Sequence, residues 1–417
     1  MSKQPPKNPF VYGKVMTASD AACPRPALET RVKQTVRDDA RLALVGDRRM
    51  GKSSIVNRTL QGMKVPMLRL NYYEVLDLAD VINRTVADLE RFLRERSVIA
   101  RKVVPWLREV GLEIREIRAS MSGFELKAAA GIPTDSLKRV FGIIRDASAR
   151  TAFTLFIDEL QDIPDRLPEA VANATLAIMR DEIQQMSKTP VFYAGSSRDS
   201  FTCLFTSDSS PLYEQAQLAN VEAIPEDEML DFIQRQFLHG HKIEPEAAAL
   251  IVRIAGDSPN DIQHLCYEVW NEHLGQDKPA TTAIVQRAFD KLLRDITPFG
   301  EKWLSDFSIK QQRIVFCIAF QEHLGAGSRE FLEFAGLRNP GDVGPALATA
   351  VKGKEALLEK VGSRYRFRSR FVRLWFALRY YRVQALIPAM RTVESYRLHL
   401  NKVLPALPTD PLIDLAP

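Results

Sequence analysis

Short apolar runs alternate with longer amphipathic stretches through the first half of the chain. Arg41 to Val45 (RLALV), Val65 to Leu70 (VPMLRL), Ala152 to Ile157 (AFTLFI) and Pro190 to Gly195 (PVFYAG) are bounded by glycine, proline or polar residues, the mark of buried strands. Asn220 to Ile224 (NVEAI) reads as a fifth. Between them, Val81 to Arg96 and Thr134 to Ser148 carry apolar residues at helical spacing. Strands that alternate with helices imply an α/β fold with a parallel sheet covered on both faces. Ala119 to Ile132 (ASMSGFELKAAAGI) alternates around glycine and reads as a small hairpin inserted before the third core strand.

After Pro225 the pattern becomes helical throughout. Pro225 to Leu238, Glu244 to Ala255, Ser258 to Leu274 and Thr281 to Ile296 each have a helical apolar stripe. Turn signals at Thr297-Pro298-Phe299-Gly300 mark a boundary. Beyond it come helices at Ile309 to Gln321, Arg329 to Ala335 and Asp342 to Lys352. Strands at Ala356 to Val361 and Arg364 to Phe367 follow, with a helix from Phe371 to Val383. Three helices followed by a two-stranded ribbon describe a winged helix. The expected organisation is therefore a core over 1–224, a helical lid over 225–297, a winged-helix domain over 298–385 and a C-terminal tail over 386–417. Prolines at 405, 408, 411 and 417 suggest a loose end, and the first ten residues an extended arm.

Composition narrows the classes without choosing one. With 417 residues, 46% hydrophobic and 26% charged, the chain is neither disordered nor short of core material. A net charge of +5 is a weak lean toward anionic partners. No apolar run approaches the ~18 residues of a membrane span, and the start lacks the apolar segment of a secretory signal. Cys23, Cys203, Cys266 and Cys317 are far apart with no C-x-x-C spacing, which suits reduced thiols in a cytoplasmic protein.

The sharpest chemical signal is Gly46-Asp47-Arg48-Arg49-Met50-Gly51-Lys52-Ser53-Ser54, a G-x-x-x-x-G-K-[ST] loop between a strand and a helix starting at Ser54. Glycines at 46 and 51 let the backbone curl so that its N–H groups converge on phosphate oxygens, and the next helix adds its positive end. Lys52 is a mobile point charge for terminal phosphates. Ser53 offers a small hydroxyl ligand to Mg²⁺. Arg48 and Arg49 read as phosphate contacts or as surface charges.

The third strand ends in Ile157-Asp158-Glu159. Ligands of open parallel sheets sit at the carboxyl ends of strands, so Asp158 belongs beside the loop as a metal ligand, and Glu159 can take a proton from an attacking water. The fourth strand ends in Gly195-Ser196-Ser197-Arg198. The serines can bond phosphate or water, or cap the next helix. Arg198 can offset charge that develops during transfer.

Near the carboxyl end, Arg364, Arg366 and Arg368 fall on one face of the second ribbon strand and Tyr365 and Phe367 on the other. That is a candidate non-specific grip on a nucleic-acid backbone, or an internal face paired with acids.

Together GDRRMGKSS, FTLFIDE and FYAGSSR resemble the STAND/AAA+ division of P-loop ATPases, in particular the archaeal-type ATPase clade related to origin-recognition initiators. The likeness runs over roughly residues 8 to 385. It includes a lead-in (Asn8-Pro9-Phe10 with Pro24-Arg25-Pro26), Ser210-Pro211-Leu212-Tyr213, a lid segment Gly256-Asp-Ser-Pro259 and a closing Ser369-Arg-Phe-Val-Arg-Leu-Trp375. The resemblance implies a P-loop NTPase core with a lid and a winged helix. It also implies ATP with Mg²⁺ as cofactors, Pro259 as a nucleotide contact, and hydrolysis that drives a conformational or oligomerisation switch with a like copy or another protein. ATP-modulated DNA binding and a non-hydrolysing scaffold are the alternatives. The chain departs from the family where its Gly-x-Pro lid motif would stand, and no arginine stands beside Pro259.

Overall fold

The computed structural model describes residues 6–97, 134–196, 198–351, 356–380 and 387–404, with Arg96, Ser97 and Arg198 described by backbone alone. The hairpin expected over 119–132 lies outside the described residues. Contacts divide the chain into two compact units: Lys14–Ala223, and Met1–Gly13 together with Ile224–Pro417.

The first unit begins with α1 (Pro26–Arg37), β1 (Arg41–Val45), α2 (Lys52–Gly62), β2 (Met67–Asn71) and α3 (Leu78–Ser97). It continues through α4 (Thr134–Arg150), β3 (Thr154–Asp158), α5 (Asp162–Arg166), α6 (Glu169–Gln184), β4 (Val191–Gly195), α7 (Arg198–Thr206) and β5 (Gln217–Asn220). The strands form one parallel sheet in the order β2-β3-β4-β1-β5. The period-2 alternation of side chains sends each strand's apolar residues to two cores. Leu42, Leu44, Phe156, Phe192 and Ala194 join Val32, Ile55 and Val56 on the α1/α2 face. Ala43, Val45, Leu155, Ile157, Val191 and Tyr193 join residues of α3, α4 and α6 on the other. The fold is α/β, as the alternation predicts. The fifth strand lies at Gln217–Asn220, just before the expected run. Val221 instead lies past the strand beside Gly46, where its N–H donates to the Val45 carbonyl at 2.7 Å.

The second unit is mainly helical. It comprises α8 (Glu226–Phe237), α9 (Pro245–Ala255), α10 (Pro259–Glu272), α11 (Thr282–Asp306), α12 (Ile309–Gln321), α13 (Arg329–Ala335) and α14 (Val343–Val351). The antiparallel strands β6 (Leu358–Val361) and β7 (Arg364–Phe367), then α15 (Arg370–Arg379) and α16 (Val393–Val403), complete it. The described part of the N-terminal segment packs here too. Phe10 is buried among Phe232, Phe237 and Trp270, and Asn8 Nδ2 donates to the Tyr267 carbonyl at 3.1 Å.

Two sequence expectations are corrected. The turn expected at Thr297-Pro298-Phe299-Gly300 does not form, because α11 runs through it with Pro298 inside the helix. Pro298 forfeits one helical hydrogen bond, but packing against α15 compensates. The indole N–H of the buried Trp375 donates to Thr297 Oγ1 at 3.1 Å, and its ring lies against Gly300. The last residues are also not wholly loose. Thr392 and Ser395 form a capping box that starts α16, and Tyr396, Leu400 and Val403 bury its inner face. Residues 405–417 lie outside the described residues.

Candidate functional site

The turn after β1 is built from backbone requirements. At Gly46 a Cβ would stand 2.6 Å from the Val221 carbonyl oxygen, so no larger residue fits without moving backbone. Gly51 adopts φ +88° as the N-cap of α2, a left-handed conformation that glycine takes without strain. Arg49 also has positive φ (+65°), and the Met50 N–H donates to the Asp47 carbonyl at 3.4 Å. From the lead-in, Arg25 ties the turn down, its guanidinium donating to the Met50 carbonyl at 3.1 Å and the Glu222 carbonyl at 2.7 Å. The turn therefore feeds directly into the first N–H groups of α2, which have no acceptor within the helix.

Lys52 is buried, and its ammonium donates to the Gly46 and Asp47 carbonyl oxygens at 2.7 and 2.9 Å. The charge is thus curled inside the mouth of the loop. The two serines separate cleanly. Ser53 Oγ donates to Asp158 Oδ2 at 2.7 Å, whereas Ser54 Oγ accepts the Met16 N–H at 3.2 Å and serves the lead-in. Arg48 lies over the Tyr73 ring at 4.7 Å, and Arg49 is exposed.

Asp158 closes β3 on the α2 face of the sheet and is 2% exposed. Its Oδ2 accepts from Ser53 and from Arg69 Nη2, the latter at 2.5 Å. Its Oδ1 is buried and accepts no hydrogen bond among the described residues. A buried carboxylate oxygen without a donor is costly unless a cation or water completes it. A hydroxyl and a carboxylate that meet at one point, with an oxygen to spare, are the hard donors that Mg²⁺ prefers. The residues present fit that ion.

Glu159 turns away from the strand in a left-handed conformation, φ +54°, uncommon for a residue with a Cβ. Its Oε2 accepts from Ser196 Oγ at 2.8 Å and from Gln161 Nε2 at 2.7 Å. Gln161 Nε2 also reaches Asp162 Oδ1 at 2.9 Å. Burial is the main cause that raises the Asp162 carboxyl to about 6; Glu159 adds to it, while the Glu74 N–H and Arg166 oppose. Gly195 makes room for this network, since a Cβ there would meet Phe201 at 2.2 Å and Gln161 Oε1 at 2.6 Å.

The expected residues thus divide. Gly46, Gly51, Lys52, Ser53, Asp158, Glu159 and Ser196 gather at the carboxyl edge of one sheet. Ser197 and the Arg198 side chain lie outside the described residues. Pro259 belongs to the second unit and is the first residue of α10, behind the Ser258 cap. Arg364, Arg366 and Arg368 belong there too. Arg364 is exposed, and Arg366 pairs with Glu359 at 2.8 Å. Arg370 donates to the Ile254 carbonyl at 2.6 Å and Arg373 pairs with Glu322 at 2.5 Å, so much of this basic stretch is used inside the unit.

Arg69 and Gln161 belong to the site but to no local motif. The signal for Arg69 was a charge in the middle of an apolar strand run; for Gln161 it was a polar residue two beyond the acidic pair.

No protein-family model matches the chain, and no curated protein matches it. Solved structures do. The Walker-type ATPase PABY2304 of Pyrococcus abyssi is similar at 16% identity and a TM-score of 0.53, over 84% of this chain and 95% of that one. The Aeropyrum pernix ORC1 protein, solved in complex with DNA, aligns at 12% identity and a TM-score of 0.47, over 86% and 94%. The Thermotoga maritima RuvB Holliday junction branch migration motor aligns at 13% and 0.43, over 83% and 92%. The likeness to the Pyrococcus structure shows a shared fold, an α/β core on one parallel sheet followed by helices.

Proposed function

We propose that the protein is a Mg²⁺-dependent ATPase whose nucleotide state switches its conformation or its association with a second copy or another protein. The observation that carries this reading is the meeting of Ser53 Oγ and Asp158 Oδ2 at 2.7 Å beside a glycine-framed turn. Two segments 105 residues apart meet to form one site of the composition that a metal-bound triphosphate needs.

In this reading the backbone of Gly46–Ser54 cradles phosphate oxygens. Lys52 exchanges its two carbonyl acceptors for terminal phosphate oxygens. Ser53 and Asp158 would hold the magnesium ion, which supplies charge neutralisation to the transferring group. Glu159 accepts a proton from the attacking water, and Ser196 and Gln161 fix the orientation of its carboxylate. Arg198 is proposed to offset developing charge, and Ser197 and Pro259 to contact the nucleotide. The ribbon β6–β7 with α12–α14 is proposed to be a winged helix, and the helices over 225–297 a lid. Adenine rather than guanine rests on family resemblance.

Lys52→Ala should abolish nucleotide binding in calorimetry. Glu159→Gln should bind nucleotide normally and lose phosphate release by about 10²-fold or more. Normal turnover in that variant would remove Glu159 from the proton-accepting role.

DNA contact through the ribbon is the second reading, favoured by Arg364, which is exposed at the start of β7. It requires a duplex mobility shift that weakens steeply with salt; no shift at low salt removes it.

A further inference from the structure

One charge stands in the middle of β2, on the face it shares with Met67 and Asn71. Arg69 aligns with Phe156 of β3, and its guanidinium lies 5.7 Å from that ring's centre. Both point to the α2 face, the face on which Asp158 ends its strand.

We propose that Arg69 gates cation binding at Asp158: its guanidinium occupies the carboxylate and must move off before a divalent ion is held there. The proposal rests on the nucleotide-binding reading above.

Three observations support it. Arg69 Nη2 stands 2.5 Å from Asp158 Oδ2, the oxygen that also takes the Ser53 hydroxyl, so the guanidinium and the proposed metal ligands converge on one atom. Two cations that converge on one carboxylate oxygen repel each other, so a guanidinium held there opposes Mg²⁺ at the same atom. Second, the guanidinium is incompletely satisfied, because Nε is buried and donates to nothing among the described residues. Third, there is somewhere to go. The side chain is 31% exposed, and Asp88 of α3 lies close enough for the two charges to act on each other. Asp88 is anchored there by the Asn71 N–H at 3.3 Å and by Arg91 at 3.0 Å. The guanidinium can exchange one carboxylate for the other and leave Asp158 to the metal.

Arg69 is thus a positioning residue that acts through Asp158. It compensates a buried carboxylate, and it raises the Mg²⁺ concentration needed for nucleotide binding.

The test is a Mg²⁺ titration of the full chain at fixed ADP, read as thermal stabilisation. Arg69→Gln should lower the half-saturating Mg²⁺ about tenfold. Arg69→Lys, which keeps the charge, should stay near wild type. Asp88→Asn removes the alternative acceptor and should raise the requirement, and Arg69→Gln with Asp88→Asn should behave as Arg69→Gln alone. An unchanged or higher requirement in Arg69→Gln overturns the gate. Should that variant not fold, an unchanged or lower requirement in Asp88→Asn overturns it. A wild type that ADP with Mg²⁺ fails to stabilise removes the nucleotide reading and the gate together. A responsive wild type with an unresponsive Arg69→Gln removes the gate alone.

Discussion

At the residue scale, Asp162 gives the site a pH-dependent neighbour. Burial raises its carboxyl from 3.8 to about 6, so the native state binds its proton more tightly than the unfolded chain does. The stabilisation that follows is complete below about pH 4 and is lost as pH rises through about 6. The shift corresponds to on the order of 3 kcal/mol. Wild-type stability in urea, taken relative to Asp162→Asn, should therefore fall between about pH 4 and pH 7. A flat difference over that range would mean that the Glu74 N–H and Arg166 fully offset burial. Lys52, Asp158 and Glu159 were legible from the sequence because each is fixed by its immediate neighbours: a turn, a helix start, a strand end. Arg69 and Gln161 were not. Arg69 acts through an adjacent strand 89 residues distant, and Gln161 matters because a tight turn at Glu159 folds it back on that carboxylate.

At the element scale, packing overrides local propensity most clearly in α11. Thr-Pro-Phe-Gly reads as a break by every local rule, yet the helix continues because Trp375 fills the space against Gly300 and bonds Thr297. Gly300→Ala would put a Cβ 2.5 Å from the indole ring. That substitution favours the helix intrinsically, by about 1 kcal/mol, but overpacking should dominate. The expected outcome is a net loss of about 1–2 kcal/mol in chemical denaturation. A gain would mean that the ring yields and that helix propensity decides the element. Strand boundaries were read to within about two residues for β1 through β4, because a parallel sheet buried on both faces writes near-continuous apolar runs. β5 shifted because its residues Gln217 to Asn220 are half polar.

At the scale of the whole molecule, the chain passes between its two units at Gly13–Lys14 and at Ala223–Ile224. A nucleotide that changes the first unit can therefore act on the second through two covalent links. Light scattering after size exclusion should give a different mass or elution in a non-hydrolysable ATP analogue than in ADP, and Lys52→Ala should abolish the difference. Identical profiles in wild type would argue against a switch of association. The α/β alternation, the glycine-framed turn and the acidic strand end follow from the chain's local pattern, since each depends on backbone freedom, periodicity or side-chain chemistry within a few residues. The tertiary structure alone decided which serine meets the aspartate, which arginine covers it and where the long helix ends. Those outcomes depend on distant segments brought within hydrogen-bond reach, and no local pattern encodes that distance.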